Sequence, residues 1–133
     1  MIGLDTNVLV RLLTGDDATQ RSTAKAYINR NCSSDDPAFV NRVVLIETVW
    51  VLESVYEYTR DNIAAAIDTL LRMVRVRTEN SDLVRGALLA YRAGVDFADA
   101  LIGESNAAQG CTKTVTFDKK AAQRLAHFVA LRS

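Results

Sequence analysis

Two carboxylates of this chain come directly after short runs that are typical of buried strands. Asp5 follows the apolar run Met1–Leu4, and Asp118 follows the alternating segment Thr112–Phe117. Because the carboxyl ends of parallel strands meet at one edge of a sheet, the sequence favours placing Asp5 and Asp118 on the same rim. Asp118 alone is explained by default as a helix N-cap. The matching position of the two residues favours a shared site.

A third carboxylate, Glu47, lies in the middle of Val43–Leu52, a segment that is otherwise almost entirely apolar. A helix of this composition is predicted to be surrounded by protein, either its own chain or in part a second subunit. An unpaired carboxylate in an apolar setting costs roughly several kcal/mol unless it is neutralised or coordinates a cation. The residues leave two interpretations open for Glu47, an ion pair with an arginine or a metal ligand.

Asp96 and Asp99 lie three residues apart at the predicted start of a helix, so they share one side of its first turn. Asp96 is well explained as the N-cap, where it also interacts with the positive end of the helix dipole. Asp99 lies inside the helix between Ala98 and Ala100, where a structural explanation is weaker. We therefore weight Asp99 towards chemistry and Asp96 towards capping or a secondary ligand role.

These five acids form an all-oxygen set of candidate ligands. The only histidine, His127, lies near the far end of the chain and is predicted to be a packing or surface residue. Carboxylates at close quarters need a cation, and oxygen ligands suit Mg²⁺ or Mn²⁺ rather than Zn²⁺. One or two such ions activate water and stabilise the charge of a phosphodiester under attack. The set therefore indicates metal-dependent hydrolysis of nucleic acid.

Strands and helices alternate along the chain in the way that positions such a rim. Short apolar or alternating runs predict the strands, and amphipathic segments behind N-capping residues predict the helices. This alternation predicts an α/β fold with a parallel sheet covered on both faces. The expected strands are the run before Asp5, Ala38–Val40, Val74–Arg77, Thr112–Phe117 and Phe128–Leu131, and the expected helices are Thr6–Leu13, 17–29, a helix behind Asn41, 60–71, a helix from Ser81 closed by Gly94, 96–109 and a helix from Lys119.

Length and charge limit the class of protein. The 133 residues are expected to form one domain, 1–133. The 16 basic and 16 acidic residues give no net charge, which at face value argues against nucleic-acid binding. Setting the five candidate ligands aside as neutralised by metal leaves 11 acids against 16 basic residues. A basic rim beside the metal site is one interpretation and a solvated helix face is the other, and the residues concerned are Lys113, Lys119, Lys120, Arg124 and Arg132.

Two cysteines and the hydropathy pattern bear on location. Cys32 and Cys111 lie far apart without a metal-ligand spacing, so both are predicted to be reduced, buried thiols. No secretory leader pattern and no run long enough to cross a bilayer is found in the sequence. We expect a soluble cytoplasmic protein with no membrane association.

The ordered set of acidic blocks resembles PIN-domain proteins of the VapC toxin type. The resemblance covers essentially the whole chain. It implies a three-layer α/β/α sandwich with a central mostly parallel sheet, and a Mg²⁺- or Mn²⁺-dependent endoribonuclease that cleaves structured RNA. It also implies a homodimer and a cognate antitoxin that wraps the toxin and blocks its site. The blocks are Asp5-Thr6-Asn7-Val8-Leu9, Glu47-Thr48-Val49-Trp50-Val51-Leu52-Glu53, Asp96-Phe97-Ala98-Asp99-Ala100-Leu101-Ile102 and Thr116-Phe117-Asp118-Lys119-Lys120.

By motif position, the resemblance implies a role for each polar residue of these blocks. Asp96 would bind a metal through water, Thr116 would orient the loop or a metal-bound water, and Thr6 with Asn7 would form the turn that holds Asp5. Metal ligation and catalysis are assigned to Asp5, Glu47, Asp99 and Asp118.

Two other classes remain as alternatives. The first is a PIN-like protein-binding module without nuclease activity, in which the acids act as caps and salt-bridge partners. The second is phosphotransfer or phosphatase chemistry on Asp5. The second is disfavoured because position 7 is Asn rather than a second Asp, and because no suitably placed lysine accompanies a phosphate site.

Overall fold

The structure is a computed structural model that describes residues 1–132. The chain divides into two compact units, Met1–Ser81 and the part from Asp82 onward, and each is described by itself. The expectation that residues 1–133 form one domain stays a prediction.

The first unit combines a three-stranded parallel sheet with four helices. The strand order is β1-β2-β3, with Ile2 opposite Ala38 and Ala38 opposite Val76. Each of the four helices begins behind a side chain that accepts a backbone N–H of the first turn. The elements are β1 (Ile2–Gly3), α1 (Thr6–Leu13), α2 (Ala18–Asn31), β2 (Ala38–Val40), α3 (Arg42–Ser54), α4 (Arg60–Leu71) and β3 (Val76–Thr78).

The core of the first unit is aliphatic. α1 packs on α2 and on α3, and α3 packs on α4. α1, α3 and α4 each turn a stripe of large apolar side chains inward, which is the burial that stabilises an amphipathic helix, whereas α2 contributes Ile28. The fully buried side chains of this core include Leu9, Val40, Leu45, Leu52, Ile63, Ile67 and Leu70.

The second unit pairs two parallel strands with three helices. α5 begins at the boundary of the units, and β4 pairs with β5 with Thr114 opposite Phe128. Tyr91 and Phe97 are buried and meet edge to face, with ring centroids 5.9 Å apart. Gly94, at a φ of +107°, makes the tight connection between α5 and α6. The elements are α5 (Ser81–Arg92), α6 (Phe97–Ala108), β4 (Thr114–Thr116), α7 (Lys119–Arg124) and β5 (Phe128–Ala130).

The α/β class and the parallel strand pairing predicted from the sequence are confirmed. β3 begins two residues later than predicted, at Val76 instead of Val74. Val74 is 73% exposed in the turn after α4, whereas Val76 and Thr78 are buried on the same side of the strand. The alternating pattern therefore predicts the strand correctly, but it also includes two residues of the preceding turn.

The expectation that α3 is covered on all sides is wrong within this chain. Val44, Leu45, Val49 and Leu52 face the core, but Val43 is 74% and Trp50 60% exposed. Burial of one face is enough to hold the helix, so its other apolar residues are left on the surface.

The two cysteines differ in burial, and His127 lies on the surface. Cys32 is buried as predicted, whereas Cys111 is exposed because it follows the end of α6. His127 is an exposed residue with a φ of +68°, in agreement with its interpretation as a surface residue. In residues 1–132, no helix is both long and apolar enough to span a membrane.

Candidate active site

Asp5 lies at the junction of β1 and α1, where it is the N-cap of the helix. Its backbone is extended, and its Oδ1 accepts the N–H of Thr6 at 2.8 Å. The helix dipole favours a negative charge at this position. The side chain is exposed, so its second oxygen remains accessible for a ligand.

Glu47 is in the second turn of α3 and is connected to the same place by Thr6. The buried hydroxyl of Thr6 donates a hydrogen bond to Oε1 of Glu47. Thr6 therefore serves both acids, Asp5 through its backbone N–H and Glu47 through its side chain. The sequence predicts for Thr6 only a place in the turn, because nothing in the local pattern reveals a partner 41 positions away.

The environment of Glu47 corrects the argument from desolvation. Glu47 is exposed, so it does not carry the cost of a charge buried among apolar groups. Within residues 1–132 it also forms no ion pair with an arginine. Of the two interpretations made from the sequence, the arginine pair is therefore not found.

An open cleft of about 460 Å³ lies over Asp5, Thr6 and Glu47. Its wall includes Trp50, which follows Glu47 by three residues on α3. Residues at this spacing lie on one side of a helix, and this neighbourhood was not used in the sequence analysis.

The polar part of the same wall is held by a network around Arg11. Arg11 Nη1 donates to Asp16 Oδ2 at 3.0 Å and to the hydroxyl of Tyr56 at 2.9 Å, and its Nε donates to Gln20 at 2.7 Å. Tyr56 in turn donates to Asp16 at 2.7 Å. Hydrogen bonds from Tyr56 and Thr14, together with the charge of Arg11, lower the pKa of Asp16. The guanidinium is thus fixed in place and paired with an ionised carboxylate.

The second unit holds the other three acids at helix and strand ends. Asp96 is the N-cap of α6, as weighted from the sequence, and its Oδ2 accepts the N–H of Asp99 at 3.0 Å. Asp118 is the N-cap of α7, where its Oδ1 accepts the N–H groups of Lys120 at 3.0 Å and Ala121 at 3.1 Å. Thr116 Oγ1 accepts the N–H of Asp118 at 3.0 Å, which holds the end of the strand.

Asp99 stands apart from its neighbours because it is half-buried. Burial raises the pKa of the Asp99 carboxyl, and the negative charges of Asp96 and Asp118 raise it further. Asp96 and Asp118 therefore each lie close enough to Asp99 to repel its negative charge. Asp96 and Asp118 cap helices, whereas Asp99 lies inside the first turn of α6.

The donor set fits a hard divalent cation. All five acids offer carboxylate oxygens, and among residues 1–132 none of them pairs with a basic side chain. In the described part of the chain no three His, Cys, Asp or Glu side chains are grouped closely enough to hold a metal ion. The five acids are Asp5, Glu47, Asp96, Asp99 and Asp118.

Comparisons with known proteins place the chain in a family. A model of the PIN domain matches residues 2–127. The chain is 28% identical, over 119 residues, to a VapC ribonuclease of Aquifex aeolicus (strain VF5). The aligned region covers 88% of this chain and 87% of that relative. It is also similar to the crystal structure of Mycobacterium tuberculosis VapC20, described as a sarcin-ricin loop cleaving toxin, with 23% identity, 92% and 94% of the two chains covered and a TM-score of 0.44. Because the family match extends over nearly the whole length, the chain belongs to the PIN domain family.

Proposed function

We propose that this PIN-domain chain is an endoribonuclease that hydrolyses phosphodiester bonds of structured RNA with the help of Mg²⁺ or Mn²⁺. The observation that carries the proposal is the set of five carboxylates, none of which is neutralised by a basic side chain within residues 1–132. The name of the Aquifex aeolicus relative supports RNA as the substrate class.

In this proposal, Asp5, Glu47, Asp99 and Asp118 are the catalytic metal ligands, and Asp96 acts through water. When bound, the ion supplies positive charge at the phosphate and makes water a better nucleophile. Their N-cap hydrogen bonds hold Asp5 and Asp118 in place through one oxygen each, which leaves the other oxygen for a ligand. Thr6 holds Glu47 in the same way through its hydroxyl.

Thr116 and Asn7 are proposed to position the acids. Thr116 holds the backbone N–H of Asp118 and thereby orients the strand end that carries this acid. Asn7 lines the cleft beside Asp5 and belongs to the first turn of α1. We assign both to positioning rather than to bond breaking.

We also propose that the chain is the toxin of a toxin–antitoxin pair, acting on RNA in the cytoplasm and restrained by a cognate antitoxin protein. Homodimer formation belongs to the same proposal. Val43, near the start of α3, is 74% exposed and supports an additional protein surface against this end of the helix.

Cleavage of RNA by the purified protein tests the proposed chemistry. We expect cleavage of structured RNA with Mg²⁺ or Mn²⁺, none with EDTA, and loss of cleavage in Asp5→Asn and in Asp99→Asn. Asp96→Asn should reduce activity less than Asp99→Asn, because Asp96 is primarily a cap. Asp35→Asn, which changes an exposed acid in the loop before β2, is the matched control and should cut like the wild type. Full activity of both Asp5→Asn and Asp99→Asn, or cleavage that does not depend on metal, would overturn the proposal.

The second candidate is a binding module, and one observation favours it. Three of the five acids, Asp5, Asp96 and Asp118, are helix N-caps and so have a structural role of their own. In that case the protein would bind its partner protein but cut no RNA with either metal, and Asp5→Asn would lose stability rather than activity. The cleavage assay together with a melting curve separates the two functions.

A further inference from the structure

We propose that Trp50 is a stacking platform for an RNA base beside the Asp5 and Glu47 carboxylates. The inference rests on the proposed function and deepens it, because it names a residue that holds the substrate. What motivates it is an aromatic side chain that is exposed within the acidic cleft.

The position of Trp50 on α3 sets its distance from the acids. Trp50 follows Glu47 by three residues, so their Cβ atoms are about 5–6 Å apart on one side of the helix. Both residues line the cleft of about 460 Å³ that also contains Asp5 and Thr6. A nucleotide whose phosphate lies at the carboxylates would therefore have its base, or that of its neighbour, within reach of the indole ring.

The indole ring is not needed for the core. Trp50 is 60% exposed, whereas Leu45, Val49 and Leu52 of the same helix are buried. An exposed aromatic face offers a surface on which a base of any type can stack, and stacking is tolerant of sequence. In other proteins, replacing such a ring by alanine weakens the binding of single-stranded nucleic acid, so the stacking contributes to affinity.

The surroundings favour RNA over a second copy of the chain as the group that covers Trp50. A protein partner seated on the ring would also cover Glu47, one turn away, and would obstruct the acids that must reach the phosphate. The lining of the same cleft also contains the polar Arg11 and Tyr56, held by their hydrogen bonds to Asp16. Charged groups are depleted from the centres of protein–protein interfaces, whereas a polar wall beside an aromatic ring suits a nucleic-acid strand.

The test uses the fact that Trp50 is the only tryptophan of the chain. Asp99→Asn protein in Mg²⁺ is titrated with an uncut hairpin RNA of mixed loop sequence, while tryptophan emission is recorded. Binding is measured in parallel by the anisotropy of the same RNA carrying a fluorescein label. We expect the emission to be quenched with the same midpoint as the anisotropy curve, because stacking on a base quenches the indole.

Substitutions measure the contribution of the ring. Trp50→Leu should weaken hairpin binding by about 5- to 150-fold, the equivalent of about 1–3 kcal/mol for one stacked base, and Trp50→Phe should retain most of the affinity. In the active background, KM should rise more than kcat falls, because stacking binds the substrate before and during the reaction. Leu89→Ala is the control, because it trims an exposed apolar residue that does not line the cleft and has no proposed role.

Four outcomes would overturn the inference. One is unquenched emission at saturating RNA together with wild-type binding by Trp50→Leu. Another is an indole that is shielded from acrylamide in RNA-free protein and becomes accessible when the protein is diluted to a monomer, which would assign Trp50 to an interface between copies. If the wild type cuts RNA with metal but Trp50→Leu has unchanged KM, the stacking role alone fails. If the wild type cuts no RNA, the inference falls together with the proposed function.

Discussion

Thr6 shows how one residue can organise two carboxylates that are distant in sequence. Its backbone N–H is held by Asp5, and its buried hydroxyl donates to Glu47. The sequence places a hydroxyl residue directly after the first acid, but the partner of that hydroxyl depends on how α1 packs on α3. For this reason the position of Asp5 between the first strand and α1 could be predicted, whereas the contact between Thr6 and Glu47 could not.

Replacing Thr6 tests whether this contact positions a metal ligand. We expect Thr6→Val, which keeps the branched shape but removes the donor, to lower both Mn²⁺ affinity and kcat/KM by about 10- to 100-fold, the usual effect of losing a group that orients a ligand. Thr6→Ser keeps the hydroxyl and should recover most of both. Isothermal titration with Mn²⁺ and a cleavage assay provide the two measurements. Unchanged Mn²⁺ affinity in a folded Thr6→Val protein would contradict the positioning role.

Asp99 leads to a prediction about pH and stability. Burial and the charges of Asp96 and Asp118 raise the pKa of Asp99 in the folded state above its ordinary value of 3.8. A raised carboxyl pKa means that the folded state holds the proton more tightly than the unfolded state does. Stability from this group is therefore fully present below the unfolded pKa and is lost as pH rises through the folded one.

Asp99→Asn should consequently be more stable than the wild type at neutral pH in EDTA, since the amide carries no charge to be repelled. We expect its melting temperature to be higher by a few degrees, and the difference should shrink as pH falls towards 4. Circular-dichroism melts of both proteins between pH 4 and pH 8 measure this. Equal melting temperatures at every pH in EDTA would show that burial and the charges of Asp96 and Asp118 do not destabilise the folded state through Asp99.

At the scale of elements, the starts of helices were the most predictable features. Asp17, Asn41, Thr59, Asp96 and Asp118 all cap the helices that were expected behind them. A cap is a local interaction between a side chain and the next backbone N–H groups, so the sequence contains nearly all of the information. The starts of loops and strands depend less on the local sequence, and the sequence therefore predicts the start of β3 two residues too early.

α3 shows the limit of hydrophobic periodicity. Its apolar residues occur on both sides, so the pattern predicted burial all round. Which side meets the core depends on α1 and α4, and these lie before and after α3 in the chain. The face that remains open carries Glu47 and Trp50, so the failure of the burial prediction coincides with the cleft to which we assign function.

At the scale of the whole molecule, the net charge says little about binding to nucleic acid, and the distribution of the charged side chains says more. The chain has no net charge, yet five acids lack basic partners within residues 1–132. Arg124, one of the residues of the possible basic rim, donates to the carbonyl of Gly94 at 3.0 Å and so supports the connection between α5 and α6. Lys113, Lys119 and Lys120 are exposed and remain suited to phosphate contacts.

The PIN match extends over residues 2–127 and so includes all four acidic blocks in their order along the chain. The proposed function therefore assigns Asp5 and Asp99 to one metal-dependent step, although they belong to different units. If Asp5 and Asp99 serve the same metal-dependent step, Mn²⁺ should stabilise the wild type and neither Asp5→Asn nor Asp99→Asn. At one hundred times its Kd, a ligand bound only by the folded state adds about 2.7 kcal/mol, which is a rise of several degrees in melting temperature. The Asp5→Asn/Asp99→Asn double variant should then lose no more of this rise than either single variant, and Asp35→Asn should keep all of it. If each unit bound its own ion, each single variant would retain part of the Mn²⁺ effect and only the double variant would lose it entirely. Melting curves of these five proteins with Mn²⁺ and with EDTA distinguish the two cases without any assay of cleavage.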